Sequence, residues 1–116
     1  MKLLKITALF GALSIIGGVS FAGAIDGPTS LSDTVQQGKI DVYRINFAGG
    51  KKATARAKAA GKIALFVYDS HDALVGKDEG ETGTVTFTWT PKETEEFKIK
   101  VVNNEKSDVA YKLETN

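Results

Sequence analysis

The sequence lacks several residues on which common functional sites depend. No cysteine is present, which excludes a disulfide framework, a thiolate metal site and a lipid-attachment cysteine. The single histidine, His71, leaves no second imidazole for a histidine-based metal site. No pair of arginines precedes the apolar N-terminal run, and no second apolar stretch follows near the end of the sequence. These absences favour the general export route and predict no further anchor or sorting tail.

The first 24 residues have the features of a secretory signal peptide. Lys2 and Lys5 precede an uncharged apolar run, Ile6 to Phe21. That run is shorter than the about 20 residues that cross a bilayer, although an uncleaved membrane anchor is the alternative interpretation. Ala22-Gly23-Ala24 supplies the small-x-small pattern that precedes a cleavage site. We therefore predict cleavage after Ala24 and a soluble product in the periplasm or outside the cell.

The remaining residues, 25–116, have the length of one domain with one modest core. Removal of residues 1–24 takes away two lysines and leaves 13 basic and 14 acidic side chains. A net charge near −1 argues against nucleic acids and anionic membranes as partners.

Apolar residues at every second position dominate residues 25–116 and predict β-strands. In residues 52–59 four alanines alternate with basic residues and threonine. Alanine favours helices, but at helical spacing these four would scatter around the axis, whereas a strand places them on one face. The other predicted strands are 30–35, 40–47, 63–69, 73–75, 84–90, 97–101 and 109–114.

Seven or eight short strands without a convincing helix predict an all-β fold, an antiparallel sandwich or barrel. In the strand from Thr84 to Thr90, Trp89 shares a face with Val85 and Phe87, while the alternate positions are threonine. We therefore expect Trp89 to be a core residue and not a ligand platform.

The order of motifs resembles the bacterial pre-peptidase C-terminal domain family over nearly all of residues 25–116. The resemblance implies a jelly-roll-like β-sandwich that acts as an accessory or binding module, here standing alone after the signal peptide. The chain departs from the family pattern at Glu95-Glu96-Phe97 and at Ala64 and Phe66. The stretches that carry the resemblance are Gly38–Phe47, Ala48–Lys52, Leu65–Asp69, Ala73–Val75, Phe97–Asn103 and Tyr111–Leu113.

The segment Asp69-Ser70-His71-Asp72 contains a nucleophile, a base and an acid. A catalytic triad requires these groups to converge in space beside an oxyanion hole, and neighbouring residues in a turn do not converge in that way. Aspartate and serine also favour turns, where their side chains bond to the nearby backbone. We predict a surface turn here and no enzymatic activity.

An acidic segment lies between residues 69 and 81, opposed only by Lys77. Calcium binds six to eight oxygen ligands, and a loop that joins two strands can supply them, although EF-hand spacing is absent. The alternative is a solvated loop whose charge keeps strand edges apart, with no cofactor bound. The candidate calcium ligands are Asp69, Asp72, Asp78, Glu79 and Glu81.

Phe66 and Tyr68 are the candidate ligand-binding residues. Ile63, Leu65 and Val67 give the same strand an apolar face for the core, so both aromatic rings project from its other face. Aromatic rings rimmed by polar groups are typical of recognition surfaces. The alternative is that a loop or the segment Asp26–Val35 folds over the two rings.

Basic residues without acidic neighbours occupy positions 44 to 62. We interpret Arg44, Lys52, Arg56 and Lys58 as the solvated side of a sheet, since no aromatic residues lie among them. The alternative is that these four side chains form a positive patch.

The sequence predicts an exported, non-catalytic module that recognises a protein or a polysaccharide. The alternative function is a structural envelope protein that acts by self-association or by shielding a partner.

Overall fold

The computed structural model describes residues 23–80 and 83–116. Most of the predicted signal peptide and Glu81 lie outside those ranges. Each of the eight predicted strands is confirmed: β1 (Thr29–Val35), β2 (Ile40–Phe47), β3 (Ala53–Ala59), β4 (Ala64–Tyr68), β5 (Leu74–Asp78), β6 (Thr84–Trp89), β7 (Glu95–Val102) and β8 (Val109–Thr115). Within the described ranges, no helix is long and apolar enough to cross a membrane.

The strands form two four-stranded antiparallel sheets that pack as a sandwich. The first sheet has the order β1-β8-β3-β6, and the second has the order β2-β7-β4-β5. Apart from β4 and β5, which are consecutive, neighbouring strands are distant in sequence. This arrangement of eight strands in two sheets is that of a jelly roll, which confirms the predicted fold class.

The core lies between the sheets, where alternate residues of each strand point inward. Ile63, Leu65 and Val67 are buried as their alternation predicts, although Ile63 lies just before β4. The strongly apolar inner faces fix the register, because a shift of one residue would turn each apolar set toward solvent.

The predicted alanine face of β3 makes room for large aromatic residues. Ala53, Ala55 and Ala57 are fully buried and pair in register with Trp89, Phe87 and Val85 of β6. The indole of Trp89 meets Phe47 edge to face, with 4.9 Å between ring centroids, and meets Phe97 in the same way at 5.4 Å. Trp89 is therefore a core residue, as predicted.

The fifth strand is longer than the sequence suggested. Residues 76–78 lie beyond the predicted strand 73–75, yet Gly76 pairs with Val67 and Asp78 with Leu65. Position 76 requires glycine because the ring of Phe87 occupies the space that a side chain there would need. A glycine that signals a turn in the sequence here permits close packing between the sheets.

Candidate binding face

Phe66 and Tyr68 project from the outer face of the second sheet, opposite the core. Both side chains are half-buried. Leu65 and Val67, which alternate with them along β4, are fully buried. The segment Thr29–Val35 pairs with β8 in the first sheet, so it does not fold over the two rings. The alternative in which that strand covers them is therefore wrong.

Two cross-strand rows surround these rings with basic side chains. In one row Phe66 lies between Lys100 of β7 and Lys77 of β5. In the other, Tyr68 lies between Lys98 and Leu74, and Arg44 of β2 follows beyond Lys98. We name this surface the aromatic–basic face; it consists of Arg44, Phe66, Tyr68, Lys77, Lys98 and Lys100.

Two lysines of the aromatic–basic face lie over its rings. The Nζ of Lys100 is 4.4 Å from the centroid of the Tyr68 ring, and the Nζ of Lys77 is 5.8 Å from that of Phe66. Both distances are within the range of cation–π attraction. The contacts hold the amino groups at defined positions above the sheet, where each can donate to an acceptor on a partner.

Acidic residues at the margin neutralise part of this charge. Lys98 forms an ion pair with Asp72, and this contact lowers the pKa of Asp72 from its ordinary value. Lys77 forms an ion pair of 2.7 Å with Glu79, which raises the pKa of the lysine. Among the residues that the structure describes, Arg44 and Lys100 form no such ion pair, so the aromatic–basic face remains positively charged.

The outer face of the first sheet has a different character. Two of its basic residues, Lys58 and Lys112, share Glu114, at distances of 3.6 Å and 3.9 Å between charged atoms. A third, Arg56, lies directly opposite Glu114 across β3 and β8. On β6 the residues of this outer face are threonines, which alternate with the inward-facing residues of the strand. Arg44 and Arg56, grouped by the sequence, lie on opposite sides of the sandwich because β2 and β3 belong to different sheets.

The segment from Asp69 to Asp72 forms the turn between β4 and β5 and has no triad geometry. The Oδ1 of Asp69 accepts hydrogen bonds from the backbone N–H groups of His71 and Ala73, at 2.8 Å and 2.9 Å. The hydroxyl of Ser70 donates to Glu95 at 2.5 Å. The serine is therefore bonded to a carboxylate and not to the imidazole that would activate it.

The candidate calcium ligands do not converge within the described ranges. Asp69 and Asp72 lie at the β4–β5 turn, while Asp78 and Glu79 lie at the other end of β5. Asp78 accepts a hydrogen bond of 2.8 Å from the N–H of Thr86. In residues 23–80 and 83–116, no three acidic, histidine or cysteine side chains form a group that could hold a metal ion.

A buried polar cluster lies between β1, β2 and β8. It was not predicted from the sequence. The hydroxyl of Tyr111 donates to the Oδ2 of Asp41 at 2.6 Å and contacts the hydroxyl of Tyr43. Tyr43 also reaches Asp33, at 3.5 Å. Burial raises the pKa of both tyrosines well above the ordinary value. One signal was available: Asp41 is two residues before Tyr43, so both belong to the inner face of β2.

Known proteins resemble this chain in three-dimensional structure but not in sequence. No protein-family model and no curated protein sequence matches the chain. The pre-peptidase C-terminal domain of collagenase from Bacillus anthracis is similar in structure, with a TM-score of 0.66 and 14% identity over 76% of this chain and 88% of that chain. PliG of Aeromonas hydrophila, a periplasmic inhibitor of g-type lysozyme, has a TM-score of 0.59 and 17% identity over 84% of this chain and 91% of that one.

A third similar structure is the Yersinia pseudotuberculosis-derived mitogen, with a TM-score of 0.54 and 9% identity over 78% of this chain and 85% of that chain. Identities this low carry information about architecture and not about activity. The chain thus shares its β-sandwich fold with a pre-peptidase C-terminal domain and with a lysozyme inhibitor.

Proposed function

We propose that this chain is an exported, non-catalytic module that binds an acidic protein through the aromatic–basic face. The observation that carries the proposal is that like charges and two half-buried aromatic rings, Phe66 and Tyr68, share one outer face. Arg44 lies directly opposite Lys98 across β2 and β7, and Lys100 lies on the same face of β7. Like charges opposite one another destabilise a sheet. On the first sheet Lys58 also lies opposite Lys112, but Glu114 contacts both amino groups there.

The chemistry of the face indicates what kind of partner it suits. Phe66 and Tyr68 supply rigid apolar area that loses little conformational entropy on binding. Lys100 and Arg44 supply donors for carboxylates, and their positive field steers an oppositely charged surface toward the face. A protein surface that presents aspartate or glutamate beside a small apolar patch would complement both features.

The fold relationships support this class of function without identifying the partner. PliG of Aeromonas hydrophila is described as an inhibitor of a lysozyme in the periplasm, so a sandwich of this shape supports binding to another protein. The collagenase domain shows the same fold within a larger protein. The predicted signal peptide is consistent with a location outside the cytoplasm, as proposed.

The proposal is tested by using the immobilised protein to capture partners from the extracytoplasmic fraction of the source organism. Four forms are compared, the wild type and three variants. Tyr68→Ala and Lys100→Glu alter the aromatic–basic face, whereas Lys112→Glu makes the same charge reversal on the outer face of the first sheet. We expect the wild type and Lys112→Glu to retain the same partner. The other two variants should lose about 2 kcal/mol of binding free energy, or roughly 30-fold in affinity.

The outcomes separate the alternatives. Increasing salt should weaken capture, because the contact is electrostatic and exposed. Equal retention by all four forms, or a loss confined to Lys112→Glu, would show that the binding face lies elsewhere. Capture that survives protease treatment of the extract would identify a polysaccharide and contradict a protein partner. Unfolding of each variant is measured in parallel, and Tyr68→Ala should cost about 1 kcal/mol or less.

Self-association is the second candidate, because apolar side chains are exposed at both edges of the second sheet. Ile40 on β2 is 49% exposed and Leu74 on β5 is 50% exposed. Unpaired sheet edges are surfaces on which copies of a chain can associate. Sedimentation of the purified protein tests this function: a concentration-dependent dimer that Leu74→Lys abolishes would support a structural role.

A further inference from the structure

Gly23 and Ala24 are integrated into the folded domain, although the sequence motif assigns them to the signal peptide. Ala24 is 1% exposed and forms an isolated β-bridge with Phe47. Its N–H donates to the carbonyl of Asn116 at 2.8 Å, and the N–H of Ala48 donates to the carbonyl of Gly23 at 2.9 Å. These two residues therefore connect the end of β2 in the second sheet to the segment that follows β8 in the first.

Asn116 fixes the other side of this connection. Its side-chain oxygen accepts from the N–H of Thr54 at 2.8 Å, and its side-chain amide donates to the carbonyl of Lys52 at 2.9 Å. Ala24 is thus bonded to a residue that is itself bonded to the beginning of β3. Cleavage after Ala24 would remove the partner of the Ala48 N–H and would expose the site that the Ala24 methyl group fills.

Gly23 has a conformational requirement that comes from the fold. Its φ of +79° lies in the left-handed region, and a Cβ at this position would collide with Asn116. In the pattern Ala22-Gly23-Ala24 the glycine occupies the middle position, which a small-x-small motif leaves unrestricted. The left-handed backbone and the packing against Asn116, and not the motif, explain why this residue is glycine.

We propose that signal peptidase cleaves between Ala22 and Gly23, two residues before the position favoured by the sequence alone. Ser20-Phe21-Ala22 also has the required small-x-small pattern and follows the same apolar run. Cleavage there leaves Gly23 as the new N-terminus and retains each contact of Gly23 and Ala24 described above. This proposal depends on export through a signal peptide, as the proposed function does, and is independent of the binding face.

N-terminal sequencing and intact mass of the exported protein, produced from the full chain in a bacterial host, test the proposal. We expect a product that begins at Gly23. A product that begins at Ile25 would overturn the proposal and support cleavage after Ala24. Retention of residues 1–24 in a membrane fraction would overturn both positions and the signal-peptide hypothesis itself, without affecting the binding measurements on the folded domain.

A pair of variants separates the two cleavage positions independently. Ser20→Leu places a bulky residue three positions before Gly23 and leaves Ala22-Gly23-Ala24 intact. Ser14→Leu is the matched control within the apolar run. We expect Ser20→Leu to block cleavage before Gly23, so that precursor accumulates or the product begins at Ile25 instead, whereas Ser14→Leu is processed to Gly23 as in the wild type. If the product of the wild type and of Ser20→Leu begins at Ile25 in equal yield, cleavage before Gly23 is contradicted.

Discussion

The hydroxyl of Tyr111 donates a hydrogen bond of 2.6 Å to the Oδ2 of Asp41, and both side chains are buried inside the sandwich. Asp41 is fully buried on β2, and Tyr111 reaches it from β8 in the opposite sheet. A polar contact thus joins the two sheets in a core that is otherwise largely apolar. Because a buried carboxylate is stable only where hydrogen bonds replace water, the phenol has a structural role.

Replacement of Tyr111 by phenylalanine should destabilise the domain. The variant keeps the ring but removes one donor to Asp41, and the loss of a hydrogen bond to a buried charged group costs about 1.5–3 kcal/mol. Denaturant unfolding measures the change. Tyr68→Phe is the matched control, because it removes a hydroxyl from the outer face and should change stability by about 0.5 kcal/mol or less. Equal effects of the two substitutions would contradict a special role for the contact.

Alkaline pH should unfold the protein through its buried tyrosines. The pKa values of Tyr43 and Tyr111 are raised in the folded state, so above pH about 10 the unfolded chain loses these protons while the folded chain keeps them. Their contribution to stability is complete below that pH and decreases above it, by roughly 1.4 kcal/mol per pH unit for each tyrosine.

The free energy of unfolding, measured at a series of pH values above 10, tests this expectation. Tyr43→Phe should reduce the dependence on pH by the contribution of one tyrosine. Tyrosinate absorbance of Tyr43 and Tyr111 should increase together with unfolding. Ionisation of both residues while the fold remains intact would show that their burial does not control their titration.

Truncation of Trp89 to alanine should cost about 3–5 kcal/mol, as expected for a large buried aromatic side chain. Trp89 is 8% exposed and contacts Phe47, Phe87 and Phe97. The midpoint of denaturant unfolding is the measurement, with Thr88→Ala on the outer face of the same strand as the control. A loss below about 1 kcal/mol would mean that the indole contributes little to the core.

Millimolar calcium should leave the melting temperature unchanged, because Asp69 and Asp78 already accept backbone hydrogen bonds at opposite ends of β5. A bound ion would stabilise the native state through linkage. Scanning calorimetry with and without calcium measures the difference. If the temperature rises, and Asp78→Asn removes part of the rise while its amide oxygen still accepts from Thr86, the predicted calcium site exists.

Local alternation was sufficient to predict the existence of the eight strands and the apolar inner faces of the longer ones, although β5 continues past its predicted end. The alanine face of β3 and the inward Trp89 follow from the period of two, because strand geometry alone decides which side chains share a face. The outward direction of Phe66 and Tyr68 follows from the same rule. These features depend on residues that are close in sequence.

Features that depend on distant strands were not predictable in this way. Arg44 lies beside Lys98 only because β2 pairs with β7, about fifty residues later in the sequence. The requirement for glycine at position 76 comes from the ring of Phe87 in the other sheet. Asp41 alternates in step with the core residues of β2. The sequence alone does not predict a buried carboxylate, because the prediction requires knowing that a hydrogen-bond donor such as Tyr111 lies nearby in the fold.

The buried alanines of β3 have a consequence for how this fold can vary. Ala53 occupies little volume, and its cross-strand neighbour Trp89 fills the adjoining space. Since protein interiors are close-packed, a larger residue at position 53 requires a smaller one at position 89, while either substitution alone produces a clash or a void. In relatives of this chain we therefore expect the side-chain sizes at these two paired positions to vary in opposite directions.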